Sequence, residues 1–154
     1  MDVPLWLSDD EQQAWRLLLR VTLTLVERLD GELREAHDLS LGDYEILAHL
    51  SSTPEHALRM RDLAERALVS RSRLTHTVDR LVTRGYVCRQ ACEHDRRGVV
   101  AVLTPDGLAL LERAAPTHVD DVRSLLVDQL PRGGARSLVR TLQPVLDRLT
   151  DEAG

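Results

Sequence analysis

Apolar residues recur at three- and four-residue spacing along most of the chain, a pattern that predicts amphipathic helices. The longest helix begins at the capping box Ser8-Asp9-Asp10-Glu11 and is predicted to reach about Ala36, with apolar residues on more than one side. Shorter helices are predicted to begin after Ser40, at Met60, after Ser70, after Thr104 and at Ala135. The last two are predicted to end near Gln129 and Asp151, so most of the chain is expected to be helical.

After Gly85 the pattern changes to the two-residue alternation of strands. The segments Tyr86–Ala91 and Val99–Leu103 are short and rich in β-branched residues, and residues 92–98 join them, which predicts a hairpin. Leu58–Arg59 is a candidate for a small third strand beside it. The predicted fold class is therefore mainly α with a small β-hairpin.

The helix between Ser70 and Gly85 has two contrasting faces. Its apolar face is formed by Leu74, Val78 and Leu81. Its polar face is formed by Ser72, Arg73, His76, Asp79 and Thr83. Polar side chains near a helix N-terminus suit the DNA major groove, where base edges present hydrogen-bond acceptors and a thymine methyl group. A solvated surface would give the same pattern, so this helix alone does not establish a DNA-binding function.

The hairpin connection carries two adjacent arginines, Arg96 and Arg97, with Asp95 beside them. Arginine is favoured in a narrow, electronegative minor groove, and a neighbouring carboxylate can hold a guanidinium in one orientation. Charged hairpin tips also occur for solubility alone. A helix-turn-helix followed directly by an arginine-tipped hairpin is a rarer combination and favours a winged helix that binds DNA.

A series of short motifs extends from the helix-turn-helix to the helix after the hairpin. They are Asp62-Leu63-Ala64-Glu65, Val69-Ser70-Arg71-Ser72, Val78-Asp79-Arg80-Leu81, Gly85-Tyr86-Val87, Asp95-Arg96-Arg97 and Leu103-Thr104-Pro105-Asp106-Gly107. In these motifs, in length and in the order of its elements, the chain resembles the MarR family of bacterial transcriptional regulators. The Asp-x-Arg pattern of the family's wing falls on Asp95 and Arg97.

The resemblance implies a winged helix-turn-helix combined with a helical dimerisation domain. Residues 1–38 would be an N-terminal dimerisation helix, residues 39–104 the winged-helix core, and residues 105–154 the C-terminal dimerisation helices. It also implies a homodimer that binds a pseudo-palindromic operator in double-stranded DNA near a promoter. Such a dimer is expected to act as a repressor and to be released by a small aromatic effector.

Two sets of site residues are expected on this basis. The residues expected to contact DNA are Arg59, Ser70, Arg71, Ser72, Arg73, Thr75, His76, Arg80, Asp95, Arg96 and Arg97. In the family the effector pocket lies between the dimerisation helices and the winged helix. This makes Trp15, Arg16, Tyr44 and His118 the candidate ligand-binding residues.

The formal net charge of −5 would ordinarily disfavour a nucleic-acid partner. The charge is segregated, however, because the segment Arg59–Arg97 contains ten arginines and five acidic residues. The remaining residues contain ten arginines and twenty acidic residues. The positive segment is thus the one whose motifs suggest DNA binding.

Two alternative functions come from other classes of protein. Cys88, Cys92 and His94 lie at even spacing on or beside the hairpin and could form part of a metal- or thiol-responsive sensor. Alternatively, the chain could be a helical interaction module that uses its winged helix to bind an acidic protein, and its DNA affinity would then be weak and independent of sequence.

Enzyme motifs such as a glycine-rich phosphate loop do not occur in the sequence, and neither a cofactor nor a resident metal is expected. No apolar run approaches the roughly 20 residues of a membrane helix, and no export signal is recognisable at the N-terminus. The sequence therefore predicts a cytoplasmic protein without a membrane partner.

Overall fold

The computed structural model describes residues 6–67, 69–92 and 95–151, and for Cys92 and residues 95–97 it describes the backbone only. The helices are α1 Asp9–His37, α2 Leu41–Ser51, α3 Met60–Ala67, α4 Arg71–Thr83, α5 Pro105–Leu125 and α6 Gly134–Asp151. The strands are β1 Ala57–Arg59, β2 Val87–Cys92 and β3 Asp95–Leu103. The predicted fold class, mainly helical with a small sheet, is confirmed.

The helix starts follow the capping signals of the sequence. Ser8 and Glu11 form a capping box at α1, and Ser40 and Asp43 form a second one at α2. Ser70 has an extended backbone, and its hydroxyl accepts the N–H of Arg73 at the start of α4. These side chains satisfy backbone donors that a helix cannot satisfy itself, which explains why the helices begin where they do.

The three strands form an antiparallel sheet in the order β1-β3-β2. Leu58 pairs with Ala101, which confirms the short third strand. The predicted start of the last strand at Val99 is wrong, because β3 already begins at Asp95. Residues 95–98 lack an apolar alternation, but ladder hydrogen bonds join backbone groups and do not require one.

The hydrophobic core is formed by α2, α3, α4, the sheet and the first half of α5, together with the C-terminal end of α1. Leu33, Leu47, Leu63 and Leu81 are fully buried in it. Gly107 lets α5 pack closely here, since a Cβ atom at this position would lie only 2.1 Å from the Tyr86 carbonyl oxygen. The core therefore fixes α4 against the sheet, with its polar face outward.

The chain divides into two compact units, residues 1–118 and 119–154. The first contains the core described above. The second contains the end of α5, a 3-10 helix Val127–Gln129 and α6. The predicted extension of α5 to Gln129 is wrong, because the α-helix ends at Leu125 and the shorter 3-10 helix follows.

Among the described residues, exposed large apolar side chains are most numerous on two helices, α1 and α6. On α1 they are Trp15, Leu17, Leu18, Leu19, Val21, Leu23 and Val26. On α6 they are Val139, Leu142, Val145, Leu146 and Leu149. Within the described residues, no helix combines the length and apolarity that a membrane span requires.

Candidate nucleic-acid interface

Helix α4 is the second helix of a helix-turn-helix that α3 begins. Its apolar residues Leu74, Val78 and Leu81 are buried against the core, as the spacing predicts. The residues on its opposite, exposed side include Arg71, Ser72, Arg73, Thr75 and His76. The helix therefore projects a row of hydrogen-bonding side chains from a rigid base, which is the arrangement that base-edge recognition requires.

Arg80, the remaining α4 residue expected to contact DNA, is engaged within the protein. Its guanidinium donates to Asp43 Oδ1, with 2.6 Å from Nη2 and 3.2 Å from Nε. The Asp43 carboxylate is buried, and its other oxygen accepts the Ser40 hydroxyl at 2.6 Å. Arg80 thus connects α4 to the cap of α2, and its half-exposed side chain has a structural role that the sequence did not reveal.

A cleft lies between α4, the start of α3 and the sheet, with a volume of about 530 Å³. We call it the basic cleft because Arg59, Arg61 and Arg89 line it together with Thr75. Arg59 and Thr75 were expected to contact DNA. Arg61 and Arg89 were missed, since their sequence positions do not indicate that β2 and α3 bring them to the same place.

Comparisons with known proteins agree with this geometry. A model of the MarR family matches residues 37–98. The crystal structure of AbsC, a MarR family transcriptional regulator from Streptomyces coelicolor, has 40% sequence identity and a TM-score of 0.91, and the match covers 95% of this chain and 98% of AbsC. The chain belongs to the MarR family.

Two further MarR-family relatives extend the comparison. Sco3205 from Streptomyces coelicolor, whose crystal structure is a complex with DNA, has 38% identity and a TM-score of 0.92, with 97% of this chain and 93% of Sco3205 covered. The regulator PecS of Dickeya dadantii is 33% identical over 110 residues, which are 71% of this chain but only 66% of PecS. The chain thus matches slightly less than two thirds of PecS.

The wing residues that the MarR-family pattern singles out cannot be placed in the same detail. The side chains of Asp95, Arg96 and Arg97 lie outside the described residues, so their expected DNA contacts stay predictions. Of the suggested sensor cluster Cys88, Cys92 and His94, the Cys92 side chain and His94 also lie outside the described residues. Cys88 is a half-buried free cysteine, and the described residues contain no group of three metal-ligating side chains.

The four candidate effector residues do not all come together. The rings of Tyr44 and His118 pack with their centroids 4.3 Å apart, and burial, with a smaller contribution from Glu45, raises the pKa of Tyr44. Trp15 is half exposed on α1, and Arg16 donates a hydrogen bond of 2.7 Å to Gln12. In the described part of the chain, no ring contact or hydrogen bond joins Trp15 or Arg16 to the Tyr44–His118 pair.

A cavity of about 520 Å³ lies instead between α1, α2 and α4. About half of its lining is apolar, and the charged residues in it are Arg34, Arg73, Glu27, Asp30 and Glu45. Asp30, also in the lining, accepts hydrogen bonds from Arg34 at 2.5 Å and from the Leu41 N–H at 2.8 Å. Burial raises the pKa of Asp30, but these two hydrogen bonds and the positive charge of Arg34 together outweigh it and hold the pKa below its ordinary value.

Proposed function

We propose that this protein is a DNA-binding transcriptional regulator that binds a pseudo-palindromic operator as a homodimer and represses the adjacent promoter. The observation that carries the proposal is the exposed polar face of α4 on a helix whose apolar face is anchored in the core. The likeness to Sco3205, whose structure is a complex with DNA, supports the same reading. The regulator would act in the cytoplasm, where the chromosome is accessible.

In the proposed complex, α4 enters the major groove. Ser70 and Arg71 contact phosphates at the helix N-terminus, where backbone N–H groups also favour an anion. Base edges are contacted by Ser72, Arg73, Thr75 and His76. Arg96 and Arg97, with Asp95 beside them, reach the flanking minor groove from the wing. Arg59 contributes a phosphate contact from the basic cleft, and Arg80 holds α4 on α2.

The exposed apolar faces of α1 and α6 favour a second copy of the chain as their partner. A symmetric pair of α4 helices would then contact half-sites about one helical turn, or roughly 10 base pairs, apart. A dimer would also bind DNA selectively although each protomer contacts few base pairs, since both half-sites must be present at the right spacing.

A small aromatic effector is proposed to release the dimer from DNA. The cavity between α1, α2 and α4 suits such a ligand better than the Trp15 surface, because apolar side chains form about half of its lining and Arg73 could bind an acidic group there. A ligand there would contact both α1 and the DNA-facing helix. Such a ligand would release the dimer from DNA only if it binds more tightly to a dimer whose α4 helices have the wrong spacing for DNA than to a dimer whose spacing fits DNA.

The proposal is tested by fluorescence anisotropy of the purified protein with its own upstream intergenic DNA and with a scrambled duplex, at two salt concentrations. Selective binding with a steep salt dependence is expected, because several arginines would displace counterions from phosphates. Equal and weak binding to a broad selection of genomic DNA would contradict the proposal and favour the protein-interaction alternative. A response of DNA binding to chelator or peroxide that Cys92→Ser abolishes would favour the sensor.

Arg73→Ala is expected to cost about 1–3 kcal/mol on the operator and clearly less on random DNA, because a base contact contributes to selectivity. The measurement is a pair of titrations at the same salt concentration. Arg113→Ala, which removes an exposed arginine from α5, is the control and should leave both affinities unchanged. Equal losses on the two duplexes would show that Arg73 contacts only phosphate.

A further inference from the structure

We propose that the basic cleft binds one phosphate of the DNA backbone through Arg89, assisted by Arg59 and Arg61, and that Asp79 is the residue that positions Arg89 for this contact. The inference rests on the proposed DNA-binding function and adds three residues to it: Arg61 and Arg89, which contact DNA, and Asp79, which acts through Arg89. None of the three is among the residues expected from the sequence to contact DNA.

The position of Arg89 follows from the strand register. Arg89 pairs with Ala101, which is fully buried, and it shares its side of β2 with the buried Val87 two residues earlier. Val87 belongs to the same buried core as Leu74 and Val78 of α4, and α4 is a neighbour of β2, so this side of the strand faces α4. Arg89 lies where the apolar contact ends, and its Nη1 donates a short hydrogen bond to Asp79 Oδ1 on α4.

The pair is accessible rather than buried. The Arg89 side chain is 33% exposed and that of Asp79 is 51% exposed. A guanidinium has five N–H donors in a rigid planar arrangement, and Asp79 accepts a hydrogen bond from one of its nitrogens, Nη1. Further donors can therefore bind a phosphate oxygen while the carboxylate fixes the plane of the group, which lowers the entropy lost on binding.

The location of the cleft relates it to the DNA backbone. Thr75 in its lining belongs to the helix proposed to enter the major groove, while Gly98 and Val99 belong to the wing proposed to reach the minor groove. In a duplex, the two grooves are separated by a sugar-phosphate strand. A cleft between two elements that enter neighbouring grooves must face that strand.

The charges in the cleft favour an anion. Arg59 is exposed, and Arg61 is 66% exposed and, among the described residues, has only a long contact of 3.4 Å to Asp62. An exposed ion pair of that length contributes little, so Arg61 can turn to a phosphate at little cost. Three guanidinium groups around one space would repel each other without an anion, and a phosphate relieves that repulsion.

Asp79 provides a test in which two explanations predict opposite signs. If Asp79 merely adds negative charge near DNA, Asp79→Asn should strengthen binding because it removes repulsion with phosphates. If it positions Arg89, Asp79→Asn should weaken binding severalfold although the protein becomes more positive. Asp79→Glu, which retains the carboxylate, should restore part of the loss.

The experiment measures affinity for the operator over a range of salt concentrations for the wild-type protein, Asp79→Asn, Asp79→Glu, Arg89→Ala and Arg89→Lys. Arg89→Ala should weaken binding about tenfold, the order expected for a charge-assisted hydrogen bond, and lower the salt slope by about 0.9 for each lost contact. Arg89→Lys keeps the charge and should retain most of the slope but lose affinity. Circular dichroism verifies that each variant is folded.

Arg123→Ala is the matched control, since Arg123 forms an exposed ion pair with Asp128 at 3.6 Å on α5 and should not affect DNA binding. Two results would overturn this inference, provided that the wild-type protein binds the operator: Arg89→Ala keeps the full salt slope, or Asp79→Asn binds more tightly than the wild type. Either result would leave the proposed function intact. Failure of the wild-type protein to bind DNA selectively would overturn the proposed function itself.

Discussion

Asp43→Ala is expected to lower the free energy of unfolding by about 2–4 kcal/mol, because this buried carboxylate holds together a helix cap and an ion pair. The carboxylate accepts the Ser40 hydroxyl and backbone N–H at the start of α2 and binds Arg80 of α4. Ser40 is itself buried, so alanine would leave its donors without a partner away from water. The Arg80 contribution is smaller because that side chain is half exposed.

Urea denaturation at fixed protein concentration measures this loss, since the stability of a dimer depends on concentration. Asp62→Ala is the matched control: within the described part of the chain its carboxylate contacts only an exposed arginine at 3.4 Å, and a change within about 0.5 kcal/mol is expected. A loss below about 1 kcal/mol for Asp43→Ala would contradict the role assigned to this carboxylate. Operator affinity should also fall, because α4 loses its connection to α2.

Local features of the sequence predicted the helices of this fold well. The hydroxyl caps at Ser8, Ser40 and Ser70 mark real helix starts because capping depends on residues within one turn of each other. The buried face of α4 was predicted for the same reason, since spacing alone decides which side chains share a face. The start of β3 was not, because strand pairing depends on a partner strand and residues 95–98 carry no alternating pattern of their own.

The interactions that organise the candidate site were less accessible from the sequence. The ion pairs Asp43–Arg80 and Asp79–Arg89 each join two separate elements of the fold. The spacing of residues along the sequence does not show which acidic residue pairs with which arginine. In the sequence Arg80 therefore resembled a DNA contact and Arg89 an ordinary strand arginine. The position of Arg89 in β2 offered one indication of its partner. Side chains two residues apart in a strand lie on the same side, so Arg89 should lie on the side of the buried Val87 and face α4.

The effector candidates show the same limitation. Tyr44 and His118 were grouped by residue type and by the pocket position in the family, and they do pack together. Trp15 and Arg16 are separate from them in the described contacts. Aliphatic residues form about half of the walls of the cavity between α1, α2 and α4, and at helical spacing such residues are indistinguishable in a sequence from ordinary core residues.

Truncation after Gln129 is expected to convert the proposed dimer into a monomer and to weaken operator binding by about 100-fold or more. The deletion removes α6, whose exposed apolar side chains include Val139, Val145 and Leu149. A protein seldom leaves such a surface in water, and a second copy of the chain is the partner that symmetry favours. Each monomer would then bind a half-site without the gain from linking two binding events.

Sedimentation velocity measures the association state of the truncated chain, and anisotropy measures its operator affinity. Because deletion of a whole helix could also disturb folding, Leu149→Glu provides a full-length variant that places a charge in the proposed interface and should shift the protein towards monomer. Ser137→Glu is the matched control, since it adds the same charge in the first turn of α6, where the helix dipole favours it. If the truncated chain stays folded and dimeric, the interface must lie on α1 rather than α6. A Leu149→Glu variant that dimerises as tightly as the wild type would support the same conclusion.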